Sequence, residues 1–270
     1  MADGKFFTGK RALVTGSGRG IGRAIALHFA HLGADVIINY FRNREPAEQT
    51  AGEITALGRK SIAVKANIGE ISQLESLFAV AKSEFGSLDF FIHNAASGYN
   101  RPVLEQKPKG WDWTMNINAR SLLFGAQLAA PLMEKAGGGA IVSISSAGST
   151  RVLPDYVVVG ASKAAIESIT RYLAVELSSK NIVVNAVSPG IVLTEALQHF
   201  NSIRSDENII ERAVAHTPAG RLLKAEEVAE ITAFLCSPAA NMIRGQVIYV
   251  DGGATLLGPG VVKYPAIPVK

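Results

Sequence analysis

The sequence has one cysteine, no strongly apolar leader and no charged tract, and these scarcities exclude several classes of protein. Cys236 is the single cysteine among 270 residues, so no internal disulfide can form. The opening MADGKFFTGK lacks the uninterrupted apolar run of a signal peptide or membrane span. The net charge is only +4 and the basic residues are scattered, which disfavours nucleic acid as a partner. We therefore expect a cytoplasmic protein that binds neither nucleic acid nor a membrane.

Apolar segments of strand length alternate with segments of helical periodicity along most of the chain. The strand segments are apolar almost throughout, which is typical of strands buried on both faces of a parallel sheet. Helices are predicted from Trp111 to Lys135, from about Ala161 to Ser178 and from Ala225 onward. The pattern predicts a single α/β domain over residues 1–270, with a doubly wound parallel sheet of the Rossmann type. The strand segments are RALVTG, DVIINY, KSIAVKAN, LDFFIHNAA, GGAIVSISS and IVVNAVSPG.

Two segments depart from this alternation. Residues 194–223 are more polar and contain no strand pattern, and so long an excursion in a compact domain is typical of a functional lid. We expect this segment to cover the substrate. The tail over residues 254–270 is apolar but interrupted by Gly and Pro, which predicts an extended arm that packs on the body or on a neighbouring subunit.

A glycine-rich turn, TGSGRGIG, follows the first strand and leads directly into a helix. Glycines let the backbone approach a pyrophosphate closely, and the helix N-terminus offers unpaired N–H groups and a positive dipole end. A tight turn with a structural role only is the alternative, and it fits this strand–turn–helix context less well. We expect the cofactor phosphates to contact Gly16, Ser17, Arg19, Gly20, Ile21 and Gly22.

The second strand ends in Tyr40-Phe41-Arg42, without the carboxylate that NAD-specific folds place there for the ribose hydroxyls. Arg42 and Arg19 are suited to pair with a 2′-phosphate instead. The alternative is that both arginines are only surface charges. The sequence therefore favours NADPH as the cofactor, with Tyr40 and Arg42 beside the adenosine ribose.

The glycine turn and five further motifs together resemble the short-chain dehydrogenase/reductase superfamily over about residues 10–253. The resemblance implies an oxidoreductase that forms a homotetramer, with the helices around residues 111–135 and 161–178 as contact faces. The further motifs are Asn94-Ala95-Ala96, Asn118 seven residues after Trp111, Ser146, Lys163 and the run from Asn185 to Gly190.

The resemblance also implies roles for individual residues. Lys163 should hold the nicotinamide ribose and favour the ionised form of a neighbouring acid. Ser146 should orient the substrate oxygen, and Asn118 should maintain a proton relay through water. The remaining implied contacts are Asn94 with Ala95 on the adenosine side, Asn67 and Ile68 at the adenine, and Pro189, Gly190, Ile191 and Thr194 at the nicotinamide carboxamide.

One position departs from the usual pattern of this superfamily. The tyrosine that most members carry four residues before the lysine is replaced by Val159, which has no proton to give. Tyr156, seven residues before Lys163, resembles instead the enoyl-acyl carrier protein reductases, in particular the NADPH-dependent type III bacterial enzymes. That closer resemblance implies an acyl carrier protein as the partner that carries the substrate.

A spacing of seven keeps both side chains on one helix face but separates them by a rise of about 10.5 Å, against about 6 Å for a spacing of four. In an enoyl thioester the hydride adds to the β carbon, and negative charge develops on an oxygen three bonds away. A donor displaced outward along the helix suits that oxygen. Together with the resemblance, this geometry predicts reduction of the 2,3-double bond of enoyl-acyl carrier protein thioesters, and the resemblance implies a role in fatty acid biosynthesis.

Several alternatives stay open at this stage. The chain could be a ketone or alcohol oxidoreductase such as a 3-oxoacyl-acyl carrier protein reductase, or a dinucleotide-binding scaffold without catalysis. Tyr99 is a rival proton donor, and Asn116 competes with Asn118 for the relay. His28 and His31 share a helix face but lack a third ligand at a recognisable spacing, so we expect no metal site. Charge alone suggests carrier contacts at Arg204, Arg212 and Arg221, and the two tryptophans, Trp111 and Trp113, are expected to be packing anchors.

Overall fold

The structure, a computed structural model, describes residues 6–193 and 209–257 of the 270-residue chain. In those ranges seven strands form one parallel sheet in the order β3-β2-β1-β4-β5-β6-β7. This confirms the predicted doubly wound sheet. The strands are β1 (Arg11–Val14), β2 (Asp35–Tyr40), β3 (Ser61–Lys65), β4 (Phe90–His93), β5 (Gly139–Ile144), β6 (Ile182–Pro189) and β7 (Val247–Val250).

Helices follow most strands and cover both faces of the sheet, as parallel pairing requires. Short 3₁₀ turns lie at Val103–Glu105, Ala147–Ser149, Ser178–Lys180, Pro238–Ala240 and Ala254–Leu256. A π-helical turn, Asn116–Arg120, joins α4 to α5. The described helices are α1 (Gly20–His31), α2 (Arg44–Ala56), α3 (Ile71–Phe85), α4 (Pro108–Met115), α5 (Ser121–Lys135), α6 (Val157–Glu176), α7 (Ile209–Ala215) and α8 (Ala225–Leu235).

Two apolar clusters hold the layers together, one on each face of the sheet. On one face, Ile25 and Phe29 of α1 pack with Val228 of α8 against alternate strand residues. On the other face, helices α3, α5 and α6 pack against the intervening strand residues through side chains such as Leu122 and Ile166. Successive strand residues therefore serve opposite cores, which explains why the strands are apolar without alternation.

The strand order reverses between β1 and β4, which are neighbours near the middle of the sheet. Val14 pairs with Ile38 of β2 on one side and with Ile92 of β4 on the other. Connections leaving β1 and β4 diverge at this point, so a crevice opens beyond the carboxyl ends of the two strands, where doubly wound folds bind ligands. The glycine turn after β1 borders that crevice.

Helix α6 begins four residues earlier than the sequence predicts, at Val157 instead of about Ala161. Asp155 adopts a left-handed conformation with φ of 60°, which reverses the chain, and Tyr156 then caps the helix. The first helical hydrogen bond runs from the Gly160 amide to the Tyr156 carbonyl, 2.7 Å. Tyr156 thus stands at the boundary of the helix and not within it.

Half of the predicted cover and most of the predicted arm lie outside the described residues, which end at 193, resume at 209 and stop at 257. What is described of the cover comprises helix α7 and the turn that follows it. Val192 and Leu223 form an isolated parallel bridge, so the chain enters and leaves this segment at one place beside the sheet. In the described part of the chain, no helix has both the length and the apolar character needed to cross a membrane.

Candidate active site

The turn over residues 16–22, which we call the dinucleotide cradle, is held open by close backbone contacts. Gly16 has a φ of +63°, and a Cβ there would lie 2.9 Å from the Cα of Ala95. A Cβ on Gly22 would collide with the side-chain amide of Asn94 and the carbonyl oxygen of Gly16. Asn94 donates from Nδ2 to the carbonyls of Thr15 (2.9 Å) and Gly16 (3.1 Å). The cradle therefore needs glycine for its shape, as a pyrophosphate site does.

A cavity of about 610 Å³ lies over this cradle at the ends of β1, β2 and β4. Ser17 does not line it, because its buried hydroxyl donates to the Val14 carbonyl at 2.7 Å and so braces the turn from below. The size, the glycine backbone and the helix N-terminus fit a nicotinamide dinucleotide. The predicted residues that line the cavity are Gly16, Arg19, Gly20, Ile21, Gly22, Tyr40, Arg42, Asn67, Ile68, Asn94, Ala95 and Lys163.

Aromatic rings flank the cationic end of this cavity. The Arg42 guanidinium carbon lies 5.6 Å from the Phe41 ring centroid and 5.9 Å from the Trp113 ring centroid. Trp113 is fixed by a hydrogen bond from Nε1 to the Ser97 hydroxyl, 2.8 Å. The expectation that Trp113 is only a packing anchor is incomplete, since the indole also lines the cavity. Sequence reasoning missed this role because Trp113 and Arg42 are brought together only by the fold.

Three polar side chains converge where β5 meets the start of α6, and we call Ser146, Tyr156 and Lys163 the α6 corner. The Tyr156 hydroxyl lies 3.5 Å from Ser146 Oγ, at the outer limit of a hydrogen bond. A Cβ on Gly148 would lie 2.5 Å from Tyr156 Cε1, so the ring rests directly on that glycine. Burial raises the pKa of Tyr156, and its hydrogen bond with Ser146 opposes that rise. The phenol is therefore a neutral donor at physiological pH.

Lys163 lies beneath this pair in a buried position and lines the same cavity as the cradle. Its Nζ donates to the Ile144 carbonyl at 2.7 Å. Desolvation lowers the pKa of Lys163 from 10.5 to about 8, and the nearby Glu167 carboxylate opposes this shift. Lys163 is thus mostly charged near pH 7 but close to its titration range.

Val159, the position where a tyrosine is usual in the resembling superfamily, is buried and cannot take part in proton chemistry. A Cβ on Gly98 would collide with its Cγ2, so the side chain fills the space beneath the loop after β4. Tyr99 on that loop is 49% exposed, and its ring rests on Gly110 of α4, away from the cavity lining. The structure thus brings Tyr156, and not Tyr99, to the α6 corner.

Asn118 is fully buried in the π-helical turn and is held from three directions. Its Oδ1 accepts from the Ser97 amide at 2.8 Å, and its Nδ2 donates to the Ser97 carbonyl and to Ser162 Oγ, both at 2.9 Å. π-Helical turns occur frequently at functional sites. Asn116 is less buried and has none of these bonds, so the geometry favours Asn118 over its competitor. Ser97 and Ser162 were missed in the sequence, because single serines carry no distinguishing pattern.

A second cavity, of about 780 Å³, adjoins the end of β6 and includes the predicted residues Gly190 and Ile191. Pro189, which ends β6, does not line it, and Thr194 lies outside the described residues. Arg221 lines this cavity but forms a two-pronged ion pair with Glu227 at 2.6 and 2.8 Å. Its charge is already balanced, which weakens the suggestion that it binds an acidic carrier. Arg204 lies outside the described residues, and Arg212 lies in α7.

The described residues contain no group of three His, Cys, Asp or Glu side chains arranged to hold a metal ion. His31 Nδ1 is within 2.8 Å of the Leu27 carbonyl, which is an ordinary helix-surface contact. Cys236 is buried, and desolvation raises the pKa of its thiol, so it is not a reactive nucleophile.

Residues 16–255 match the sequence model of a family described as Enoyl-(Acyl carrier protein) reductase. The chain is 36% identical over 251 residues to 1-cyclohexenylcarbonyl-CoA reductase of Streptomyces collinus, covering 92% of this chain and 88% of that one. It is also 36% identical over 245 residues to 7alpha-hydroxysteroid dehydrogenase of Escherichia coli strain K12, covering 91% and 94%. A solved short chain dehydrogenase from Burkholderia cenocepacia J2315 in complex with NADP superposes with a TM-score of 0.85 at 33% identity, covering 93% and 99%.

Proposed function

Because the chain belongs to the short-chain dehydrogenase/reductase superfamily, we propose that it is an NADPH-dependent reductase of the 2,3-double bond of enoyl thioesters carried by acyl carrier protein. Membership rests on the family match over residues 16–255 and on relatives at 36% identity, and it makes the chain an oxidoreductase. One observation carries the finer proposal. The half-buried donor at the α6 corner is Tyr156, seven residues before Lys163, while position 159 holds a valine.

The choice of NADPH is supported by the residues at the end of β2. Arg42 lines the cradle cavity, and no carboxylate stands there to accept ribose hydroxyls. A guanidinium pairs well with a phosphate monoester, and the flanking rings of Phe41 and Trp113 restrict its movement. The solved relative that holds NADP is consistent with this assignment. The residues present therefore fit the phosphorylated dinucleotide.

When bound, NADPH supplies the hydride that the β carbon of the substrate accepts. The residues of this chain stabilise the charge that then appears on the thioester carbonyl oxygen. Tyr156 donates a hydrogen bond to that oxygen, and Ser146, 3.5 Å from the phenol, orients it. A single donor of this kind contributes about 2.7 to 4 kcal/mol to stabilising the transition state. Protonation of the α carbon then draws on Tyr156 or on water ordered near the charged Lys163.

The position of Tyr156 at the helix boundary explains how its donor is displaced. Because α6 begins after this residue, the phenol projects from the reversing turn at Asp155 and not from the helix surface. A tyrosine one turn further along would have to occupy the buried space that Val159 fills. The proton donor, Tyr156, therefore lies farther outward than a tyrosine at position 159 would. This position suits a thioester carbonyl oxygen that is remote from the carbon that accepts the hydride.

The relative from Streptomyces collinus supports the same class of substrate. Its name describes reduction of a coenzyme A thioester whose ring double bond is conjugated with the carbonyl. This is the arrangement of atoms that an enoyl thioester shares. A second candidate function is the reduction of ketones or the oxidation of alcohols. It is favoured by the relative named 7alpha-hydroxysteroid dehydrogenase, which is also 36% identical to this chain.

The test compares NADPH oxidation by the wild-type enzyme with crotonyl-acyl carrier protein, crotonyl-CoA, acetoacetyl-CoA and a simple ketone. We expect turnover with the crotonyl thioesters alone. Turnover with acetoacetyl-CoA or the ketone but not with crotonyl thioesters would replace the proposal with the second candidate. Tight NADPH binding without any turnover would indicate a dinucleotide-binding scaffold.

A further inference from the structure

The end of β5 is held by α6 through three consecutive residues. The Ile144 carbonyl accepts from Lys163, and Ser146 Oγ lies beside the Tyr156 hydroxyl. Between them, Ser145 Oγ donates to Oε1 of Glu167 at 2.6 Å. Lys163 and Glu167 are four residues apart and share one face of α6 toward the strand end, and Tyr156 stands at the cap of the same helix. Two of these contacts belong to the α6 corner, and the third has no assigned role.

Glu167 is an unusual residue for this position, because it is 6% exposed and its side chain is ionisable. Carboxylates are seldom buried unless they are paired. Its hydrogen bond comes from a neutral serine, and the cation near it is Lys163, one turn earlier on the same helix. The ammonium and the carboxylate therefore compensate each other in a dry environment beneath the active site.

We propose that Glu167 is a positioning residue, whose negative charge keeps Lys163 protonated and whose bond to Ser145 fixes the strand end that carries Ser146. This inference rests on the proposed function, since Lys163 needs its charge to act on the substrate side. A neutral Lys163 would lose the electrostatic support of the developing oxyanion. Glu167 lines neither of the two cavities and acts only through these two neighbours.

The electrostatic surroundings of Lys163 agree with this assignment. Desolvation alone lowers its pKa, and Glu167 is the group that raises it again. The other ionisable side chain coupled to it is His93 at the end of β4, whose pKa desolvation lowers to about 3, with a further contribution from Lys163. His93 is therefore neutral. The elements that pack against α6 are α4, α5, β6, the π-helical turn and the turns Ala147–Ser149 and Ser178–Lys180, and no further described charge from them acts on Lys163.

The test measures the Lys163 titration directly, by the ¹³Cε resonance of lysine-labelled enzyme, with assignment by Lys163→Met. Glu167→Gln removes the charge but keeps an oxygen acceptor for Ser145. We expect it to lower the Lys163 pKa by about one unit from the wild-type value. Glu176→Gln removes the same charge from an exposed site near the end of α6 and should leave the titration unchanged.

The pH profile of kcat gives a second readout. Activity needs protonated Lys163, so kcat should fall as pH rises through the Lys163 pKa, and Glu167→Gln should move this basic limb about one unit lower. Near pH 6.5 the variant should retain kcat within about threefold. A role confined to packing would lower kcat equally at every pH. A Lys163 titration identical in wild type and Glu167→Gln, or an equal shift in Glu176→Gln, would overturn the proposal.

If Glu167→Gln does not fold, the Lys163 titration in Ser145→Ala tests the proposal instead. This substitution removes the described hydrogen bond that orients the carboxylate, and we expect a smaller fall of a few tenths of a unit in the Lys163 pKa. A Lys163 pKa in Ser145→Ala equal to that of the wild type would count against the proposal. Failure of this inference can be told apart from failure of the proposed function. If the enzyme does not turn over crotonyl thioesters, the NMR titration still measures the coupling between Glu167 and Lys163.

Discussion

The dinucleotide cradle and the α6 corner lie on the same edge of the sheet but are built from different parts of the chain. The cradle is made by backbone: Gly16 and Gly22 leave space that any Cβ would fill. The α6 corner is made by side chains: a phenol, a hydroxyl and an ammonium from two segments ten to seventeen residues apart. Adding one carbon should therefore damage the first region, whereas removing one oxygen should damage the second.

This difference separates cofactor binding from the choice of reaction. A backbone cradle tolerates little change, and its motif occurs where the fold requires it. The acid at the α6 corner depends on where a helix begins, since Asp155 reverses the chain directly before Tyr156. A shift of three residues at this boundary moves the donor without altering the sheet. Two relatives that are each 36% identical to this chain carry names for different reactions.

The largest expected effect comes from Tyr156→Phe, which removes one oxygen from the α6 corner. We expect kcat for crotonyl thioesters to fall about 10²- to 10³-fold, because one transition-state donor is lost. The Kd for NADPH should stay within about twofold, as the cradle is untouched. Tyr99→Phe is the matched control and should retain activity, since its ring is half-exposed over Gly110. If the two variants exchange their effects, the rival donor is the correct one.

The next effect comes from Gly22→Ala, which adds one carbon to the cradle. The new Cβ would meet Asn94 and the Gly16 carbonyl, so we expect a loss of about 1 to 3 kcal/mol in the free energy of unfolding. NADPH binding, measured by fluorescence titration, should weaken by more than tenfold. Gly52→Ala is the matched control on α2, where a Cβ meets nothing within 4 Å. There the substitution should stabilise the protein, by up to about 1 kcal/mol.

Arg42→Gln sharpens the comparison within the cradle, because it changes a charge and leaves the backbone intact. The Kd for NADPH should rise about tenfold, which is the lower end of the range expected when one charge-assisted hydrogen bond to a phosphate is lost. The Kd for NADH should be nearly unchanged. Arg44→Gln, two residues further on and paired with Glu48 on an exposed helix face, should alter neither constant. Equal losses for both dinucleotides in Arg42→Gln would contradict the 2′-phosphate assignment.

The smallest expected effect concerns stability at the α6 corner. The unfolded chain holds the Lys163 proton up to about pH 10, whereas the buried lysine releases it near a pKa of about 8. The charged, buried lysine therefore costs stability below pH 8, by at most about 3 kcal/mol, and the cost disappears toward pH 10.5. The double variant Lys163→Met with Glu167→Gln, which removes the ammonium together with the carboxylate that it compensates, should raise Tm by a few degrees at pH 7 while abolishing turnover.

The pH dependence of that gain in Tm is the critical measurement. The difference in Tm between this double variant and wild type should narrow as pH rises from 8 to 10. Lys65→Met, at an exposed position at the end of β3, should show no such pH-dependent difference. A double variant less stable than wild type at pH 7 would show that the bond from Lys163 to the Ile144 carbonyl outweighs the desolvation of the lysine.

Much of the fold follows from the sequence, because strands buried on both faces leave a direct apolar signal. The segments around Leu13, Ile37 and Ile141 predict their strands for this reason. The predicted ends of helices were less accurate than the predicted strands. The start of α6 depends on the left-handed conformation of Asp155, and the sequence does not show that an aspartate adopts this conformation. The π-helical turn was not predicted, because Asn116–Arg120 has the composition of ordinary helix.

The candidate site was predictable where function is tied to a short motif, as in the cradle and at Lys163. It was not predictable where partners come from distant segments. Trp113 lines the cavity beside Arg42, and Ser97 joins Trp113 to Asn118, but nothing local marks these residues. Glu167 was missed for the opposite reason. Its spacing from Lys163 is visible, yet a glutamate on a helix is usually solvated, and only its burial reveals a different environment.

The π-helical turn between α4 and α5 has a consequence for the two segments it joins. A wider turn takes up one residue more than a regular helix, so the segment before it is rotated by about 100° relative to the segment after it. Trp113 can therefore point at the dinucleotide cavity while Leu122 is directed into the apolar interior. Deleting one residue from this stretch would restore a regular α-helix. Either Trp113 would then turn away from the cavity or Leu122 would turn away from the core. The insertion allows a single rod to serve both ligand binding and the packing of the core.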